Sequence, residues 1–139
     1  MLNIKKTLAK LLNYKRPRGT TVSGNYTATV TFRRTDNIVT AYSAGPTAIP
    51  LSKYLPYVNI PSGYRPIASI RQTSVEPAGS SGTIQGVFRF TAYENGSTAK
   101  DANNNPLANK ISVYHYNGSA TGQHNVGMQM TWITNDPLP

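Results

Sequence analysis

The chain has 139 residues, with ten prolines, eleven glycines, no cysteine and only 14% charged residues. That length supports one domain with a real core, and the turn-rich, charge-poor composition fits an all-β domain. Lack of cysteine excludes disulfide scaffolds, thiolate zinc sites and cysteine nucleophiles, while the net charge of +9 raises nucleic acid as a partner.

The charge is uneven along the chain. Residues 1–18 hold six basic side chains (Lys5, Lys6, Lys10, Lys15, Arg16, Arg18) and no acid; residues 19–139 hold eight Lys or Arg against five acids. The body is therefore only mildly basic. Its one adjacent basic pair is Arg33-Arg34, with no basic stripe, which argues against nucleic-acid binding. No segment approaches the ~20 apolar residues of a membrane span. An export signal is not expected either: Lys10 interrupts the first apolar run, and Lys15, Arg16 and Arg18 follow where a cleavage site should be small and neutral.

Met1 to Tyr14 reads as an amphipathic helix, stopped by Pro17 and Gly19. In a heptad, Met1 and Leu8 take one core position, and Ile4 and Leu11 the other. The run spans about two heptads, roughly 20 Å of helix, which is marginal alone in water. Three placements are open. The helix packs on its own β domain, forms a short parallel bundle with copies of itself, or lies on an anionic membrane surface. The bundle is the first reading, with Ile4, Leu8 and Leu11 as its seam. Lys15 to Gly19, stiffened by Pro17, suits a joint between a stalk and a head.

Gly24 to Arg34 alternates as a half-buried strand: Tyr26, Ala28, Val30 and Phe32 on one face, Thr27, Thr29, Thr31 and Arg33 on the other. Asp36-Asn37 turns the chain into a second strand, Ile38 to Ala44, which Gly45-Pro46 ends. Ile49 to Ile60 carries Pro50 and Pro56 and cannot be a regular central strand. Ile60 to Pro66 forms a tight corner, with Pro61 fixing one φ angle and Gly63 supplying a positive one. Ile67 to Val75 is a strand and Pro77 to Gly82 a loop. Thr83 to Tyr93 is a strand with Ile84, Phe88 and Phe90 on one face, where Gly86 leaves a gap for a bulge or a neighbour. Glu94-Asn95-Gly96 is a hairpin signal. Asp101 to Asn105 is a loop. Lys110 to Tyr116 and Val126 to Thr134 are the last strands, with Val126, Met128, Met130 and Trp132 aligned. Some six strands with turns between them predict an antiparallel sandwich, jelly-roll-like head or small barrel at 19–139, preceded by the helical stub at 1–18.

The residues point away from catalysis. The acids Asp36, Glu76, Glu94, Asp101 and Asp136 all fall in or beside predicted turns or loops, and nothing pairs two of them across a cleft. His115 and His124 with Asp101 lack the close spacing of a metal site, and His115, between Tyr114 and Tyr116, reads as a surface or interface residue. No Gly-x-Ser-x-Gly, phosphate-binding or dinucleotide motif is present, so no cofactor is expected. Binding is the better reading. The chain has nine tyrosines, and Tyr93, Tyr114 and Tyr116 lie near Asn103, Asn104 and Asn105 in sequence. Flat apolar faces with hydroxyls, plus amides, could build a shallow saccharide site; the same tyrosines could instead line a sheet surface or a subunit interface.

Three segments carry a family resemblance. Leu2 to Leu12 (LNIKKTLAKLL) resembles segments that precede C-terminal domains of tail proteins in phages of Gram-positive bacteria. The Ile60-Pro61-Ser62-Gly63-Tyr64-Arg65-Pro66 corner and the alternating Val126 to Thr134 strand resemble parts of phage tail-fibre and receptor-binding head domains. The resemblance implies a homotrimer, with the stub bundled on a threefold axis, other virion proteins as partners through that stub, a virion location, and contact with host-surface glycans. Members of that family carry a long shaft or docking shoulder that this chain almost lacks. A capsid-attached head fibre or decoration protein shares the stub-plus-head design and is the alternative; a free carbohydrate-binding module is the third.

Overall fold

A computed structural model describes residues 2–43, 46–47, 49–50, 53–78, 83–118 and 124–139. Helix α1 spans Leu2–Lys15. The strands are β1 Arg18–Ser23, β2 Thr29–Thr35, β3 Ile38–Ser43, β4 Pro46–Thr47, β5 Tyr54–Asn59, β6 Ile70–Ala78, β7 Thr83–Ala92, β8 Lys110–Gly118, β9 His124–Asn125 and β10 Met128–Ile133. One sheet has the order β1-β2-β3-β10, a second β5-β8-β7-β6, and β4 pairs with β9 as a two-stranded ribbon; every strand pairing among the described residues is antiparallel. The protein is thus an all-β sandwich with one short N-terminal helix. Its pairings nest: β3 with β10, β4 with β9, β5 with β8, β6 with β7. A two-stranded ribbon folds over from one sheet to the other, the jelly-roll way of closing a sandwich.

Alternation builds the core. Val30 and Phe32, Val39 and Ala41, and Met128, Met130 and Trp132 face inward from the first sheet. Against them lie Tyr57, Phe88, Phe90, Ala92, Ile111 and Val113 of the second. Phe32 meets Trp132 edge-on at 6.3 Å, and Tyr57 meets Phe90 edge-on at 5.2 Å. Each fully buried large side chain stabilises by roughly 1.5–3 kcal/mol. The outer face of the first sheet is threonine-rich, with hydroxyl contacts of 3.2 Å between Thr21 and Thr31 and between Thr40 and Thr131.

Several expectations change. The body begins at Arg18, because 18–23 is an edge strand whose first two residues, Arg18 and Gly19, were expected in the Lys15 to Gly19 joint. The second strand starts at Thr29, not Gly24, since Tyr26 and Thr27 adopt φ 57° and 60°. Ten strands replace about six among the described residues. β5 is a strand despite Pro56, but at a sheet edge and with a register shift at Pro56/Val58, where a missing N–H costs least. Pro77 and Ala78 finish β6. Glu94 to Ser97 is a turn, closed by a 3.1 Å bond from the Ser97 N–H to the Glu94 carbonyl; it opens a long excursion rather than a hairpin. Met1, residues 79–82 and the side chains of Tyr14, Ile84 and His124 lie outside the described residues.

Two polar residues lie where loops or surface were expected. Glu76 is buried within β6. His115 is fully buried and stacks on Phe88 at 4.2 Å, with Nδ1 3.3 Å from the Ile49 carbonyl. It follows Ile111 and Val113 on the inward face of β8 and is a core residue. The Gly86 gap is occupied as anticipated: a Cβ there would come within 2.6 Å of the Phe88 ring and 3.1 Å of His115 Nε2, and the β7–β8 register shifts at Val87/Phe88.

The corner at residues 60–66 is closed by the Tyr64 N–H on the Pro61 carbonyl at 3.1 Å, with Gly63 at φ 92°. It is held by the C-terminal segment. Asp136 Oδ2 accepts the Gly63 N–H at 2.9 Å, the Arg65 N–H at 3.0 Å and Arg65 Nε at 2.9 Å. Burial pushes the Asp136 carboxyl up, but these Arg65 and Gly63 bonds prevail and hold it below the ordinary aspartate value. The Ser69 hydroxyl and N–H lower Glu94 likewise, and the Asn105 and Asn103 N–H groups lower Asp101. A carboxylate with a depressed folded pKa stabilises above its unfolded pKa, and that stability is lost as pH falls through the folded pKa. The melting temperature is therefore expected to stay level from about pH 7 to 5 and fall below about pH 4. Thermal unfolding across that range checks this, and Asp136→Asn should be less stable at neutral pH and lose less on acidification.

Candidate ligand-binding face

The outer face of the second sheet gathers aromatic and basic side chains. With Phe88, Phe90 and Ala92 inward on β7, Arg89 faces outward; with Ile111, Val113 and His115 inward on β8, Tyr114 and Tyr116 do the same. Tyr54 of β5 is the register partner of Tyr114, as is Arg89 of β7 on its other side. Tyr54 and Tyr114 have ring centroids 4.4 Å apart, and Tyr114 and Tyr116 4.5 Å apart, with the planes tilted at 47° and 56°. The Arg89 guanidinium lies 5.4 Å from the Tyr54 ring and 5.1 Å from the Tyr116 ring, within cation–π range of both. Its Nη2 donates to the Tyr54 hydroxyl.

The excursion between β7 and β8 flanks this face. Lys100 and Pro106 form a bridge at its neck. Asp101 Oδ1 accepts the N–H groups of Asn103 and Asn105, each at 2.8 Å, and Oδ2 accepts Asn105 Nδ2 at 3.3 Å. The Ala102 N–H donates to the Tyr54 carbonyl at 2.9 Å, which fixes the loop to the edge of the sheet. Asn103 and Asn104 stay exposed at its tip, Asn104 at φ 66°.

Four of the five sequence-predicted ligand residues thus belong to one neighbourhood: Tyr114, Tyr116, Asn103 and Asn104. Tyr93 does not. It is 8% exposed, and its N–H bonds the Lys110 carbonyl at 3.0 Å. Tyr54 and Arg89 were missed. Arg89 could have been found from the alternation around Phe88 and Phe90; Tyr54 was masked by the prolines on both sides of it.

The stub residues present a second surface. Ile4, Leu8 and Leu11 are 71%, 53% and 52% exposed, and Leu12 is 63% exposed. With Asn3 and Thr7, the first three form a continuous stripe that the sandwich leaves uncovered. Lys5, Lys6 and Lys10 are exposed as well. Among the described residues no group of three or more His, Cys, Asp or Glu could hold a metal, and no helix is long and apolar enough to cross a membrane.

The fold and these surfaces define a two-sheet β-sandwich with an aromatic–basic outer face and an appended amphipathic helix. No protein-family model matches the chain, and no curated protein sequence matches it either.

Proposed function

We propose that this chain is a non-enzymatic phage virion protein: a trimeric tail-tip or receptor-binding head whose stub assembles it and whose outer face contacts host-surface glycans. The uncovered seam of Ile4, Leu8 and Leu11 carries the reading. A 14-residue helix with over half of each seam side chain in water has little reason to persist alone. Burying that stripe against two copies supplies the missing stabilisation.

Light scattering on the full chain tests this. The wild type is expected to be a trimer at micromolar concentration. Leu8→Asp, which puts a charge in the seam, should give monomers with an unchanged sandwich melting profile. A wild-type monomer would remove the trimeric readings and leave the carbohydrate-binding module. An unchanged trimer in the variant would reduce the stub to a tether.

The exposed Lys5, Lys6 and Lys10 favour one second reading, a capsid-attached head fibre or decoration protein whose basic stub docks on an acidic shell. Binding to purified host cell wall supports the receptor role. Binding to assembled capsids, with none to cell wall, supports the alternative.

A further inference from the structure

We infer that the outer face of the second sheet is a site for an anionic saccharide, with Arg89 as the group that receives its carboxylate or phosphate. This rests on the reading of the chain as a glycan-contacting head and names the ligand class of that face. Three observations meet here.

Arg89 is held in place before any ligand arrives. Tyr54 and Tyr116 flank its guanidinium and the Tyr54 hydroxyl takes one N–H. Its Nε is buried with no hydrogen-bond partner among the described residues.

Among the described residues no carboxylate neutralises it. Asp136 pairs with Arg65. Glu94 is taken by Ser69. Glu76 is on the inward face of β6, and Asp36 sits in the β2–β3 turn. Asp101, on the flanking loop, already accepts three bonds from Asn103 and Asn105. The other charged side chains facing outward from this sheet are Arg71 on β6, which is exposed, and Lys110 at the start of β8, on the same face as Tyr114; both are basic. A half-buried guanidinium without a counter-ion carries a desolvation cost that an incoming anion offsets, and its planar fork matches carboxylate or phosphate.

An apolar platform adjoins the charge. Tyr116 is 43% exposed, a ring face onto which a sugar can stack. The exposed amides of Asn103 and Asn104 lie beyond Tyr54 for hydroxyl recognition. Single-stranded nucleic acid also combines phosphate with stacking, but it needs successive platforms along a basic groove. Here the rings tilt against one another at 47° and 56° around one arginine, which suits a single charged sugar unit.

The test is calorimetric titration of the full-length protein with four probes: poly(glycerol phosphate), polyglucuronate, neutral dextran and oligo(dT). Binding is expected to at least one anionic polymer, weakening with salt, and the first two probes separate phosphate from carboxylate. Arg89→Met should lower that affinity about tenfold or more, and Tyr116→Ala, an exposed position that leaves the core intact, should lower it by a similar factor. Arg89→Lys should recover it only in part. Binding that survives both Arg89→Met and Tyr116→Ala, or that is lost instead in a Lys5/Lys6/Lys10→Gln variant, overturns the site. Equal affinity for dextran overturns the anionic requirement and keeps the glycan reading. Tighter, Arg89-dependent binding of oligo(dT) overturns the saccharide assignment. No binding to any saccharide overturns both.

Discussion

Arg34→Met is expected to destabilise the sandwich by about 4 kcal/mol, a drop of roughly 10–15 °C in melting temperature. Arg34 is 3% exposed, and its charge is met by carbonyl oxygens rather than by a carboxylate. Nε donates to the Asp36 carbonyl at 2.7 Å, Nη1 to Gly63 at 2.5 Å and Pro137 at 3.1 Å, and Nη2 to Asp136 at 2.9 Å. One side chain thus joins the β2–β3 turn, the 60–66 corner and the C-terminal segment. Methionine fills much of the volume but leaves the buried Gly63 carbonyl and the part-buried Asp36, Asp136 and Pro137 carbonyls without this donor, costing about 1–3 kcal/mol at the buried one and less where water reaches. Lysine should rescue only partly, because a single ammonium cannot reach along the guanidinium's fork. Thermal unfolding of the three proteins at neutral pH decides it; a melting temperature within about 3 °C of wild type for the methionine variant would show that the C-terminal segment holds by other contacts.

Gly24→Val should cost roughly 3 kcal/mol or more, although Gly24 sits in a turn and carries no side chain to lose. A Cβ on Gly24 would stand 2.1 Å from the Tyr57 carbonyl oxygen and 3.1 Å from Val58 Cβ. Backbone, not a flexible side-chain tip, is in the way. The turn and β5 would have to separate, which breaks the Asn25 N–H bond to Tyr57 at 2.8 Å and the Asn25 Nδ2 bond to Pro56 at 2.9 Å. These close the sandwich on the side where β1 meets β5, so loss of them opens an edge. Urea unfolding measures the cost. Hydrogen exchange should show protection lost first at Asn25. The smaller Gly24→Ala change meets the same carbonyl and is expected to be nearly as damaging.

The fold was legible where burial follows alternation. Val126 to Trp132 and Ala28 to Phe32 read directly as core faces, and both are buried on every second residue. β1 was not legible, because Arg18-Gly19-Thr20-Thr21-Val22-Ser23 has one large apolar side chain and is only half-buried on its inner face. Tyr26 and Thr27 continued an alternating pattern but sit in left-handed backbone, which periodicity does not report. For the site, the aromatic–amide neighbourhood was readable, but its centre was not. Arg89 and Tyr54 become neighbours of Tyr114 only through the order β5-β8-β7, a long-range pairing that no local pattern encodes. His115 shows the converse case. Its flanking tyrosines suggested a surface, while its parity with Ile111 and Val113 pointed inward.

The nested ribbon also sets an order of events during synthesis. Thr40 and Thr131, whose hydroxyls meet across β3 and β10, are 91 positions apart in the chain. At about 5–20 residues per second, the strand that completes the first sheet leaves the ribosome several seconds after its partner. Until then β3 has no hydrogen-bonded partner on its β10 side, and closure of such distant contacts is slow. Helix α1 is already outside by that time and needs no part of the sandwich to form. A seam made available that early is placed to meet a neighbouring nascent chain on the same message. If the stub bundles copies of the chain as proposed, assembly would then begin before the head has folded, and polysome spacing rather than protein concentration would set its rate.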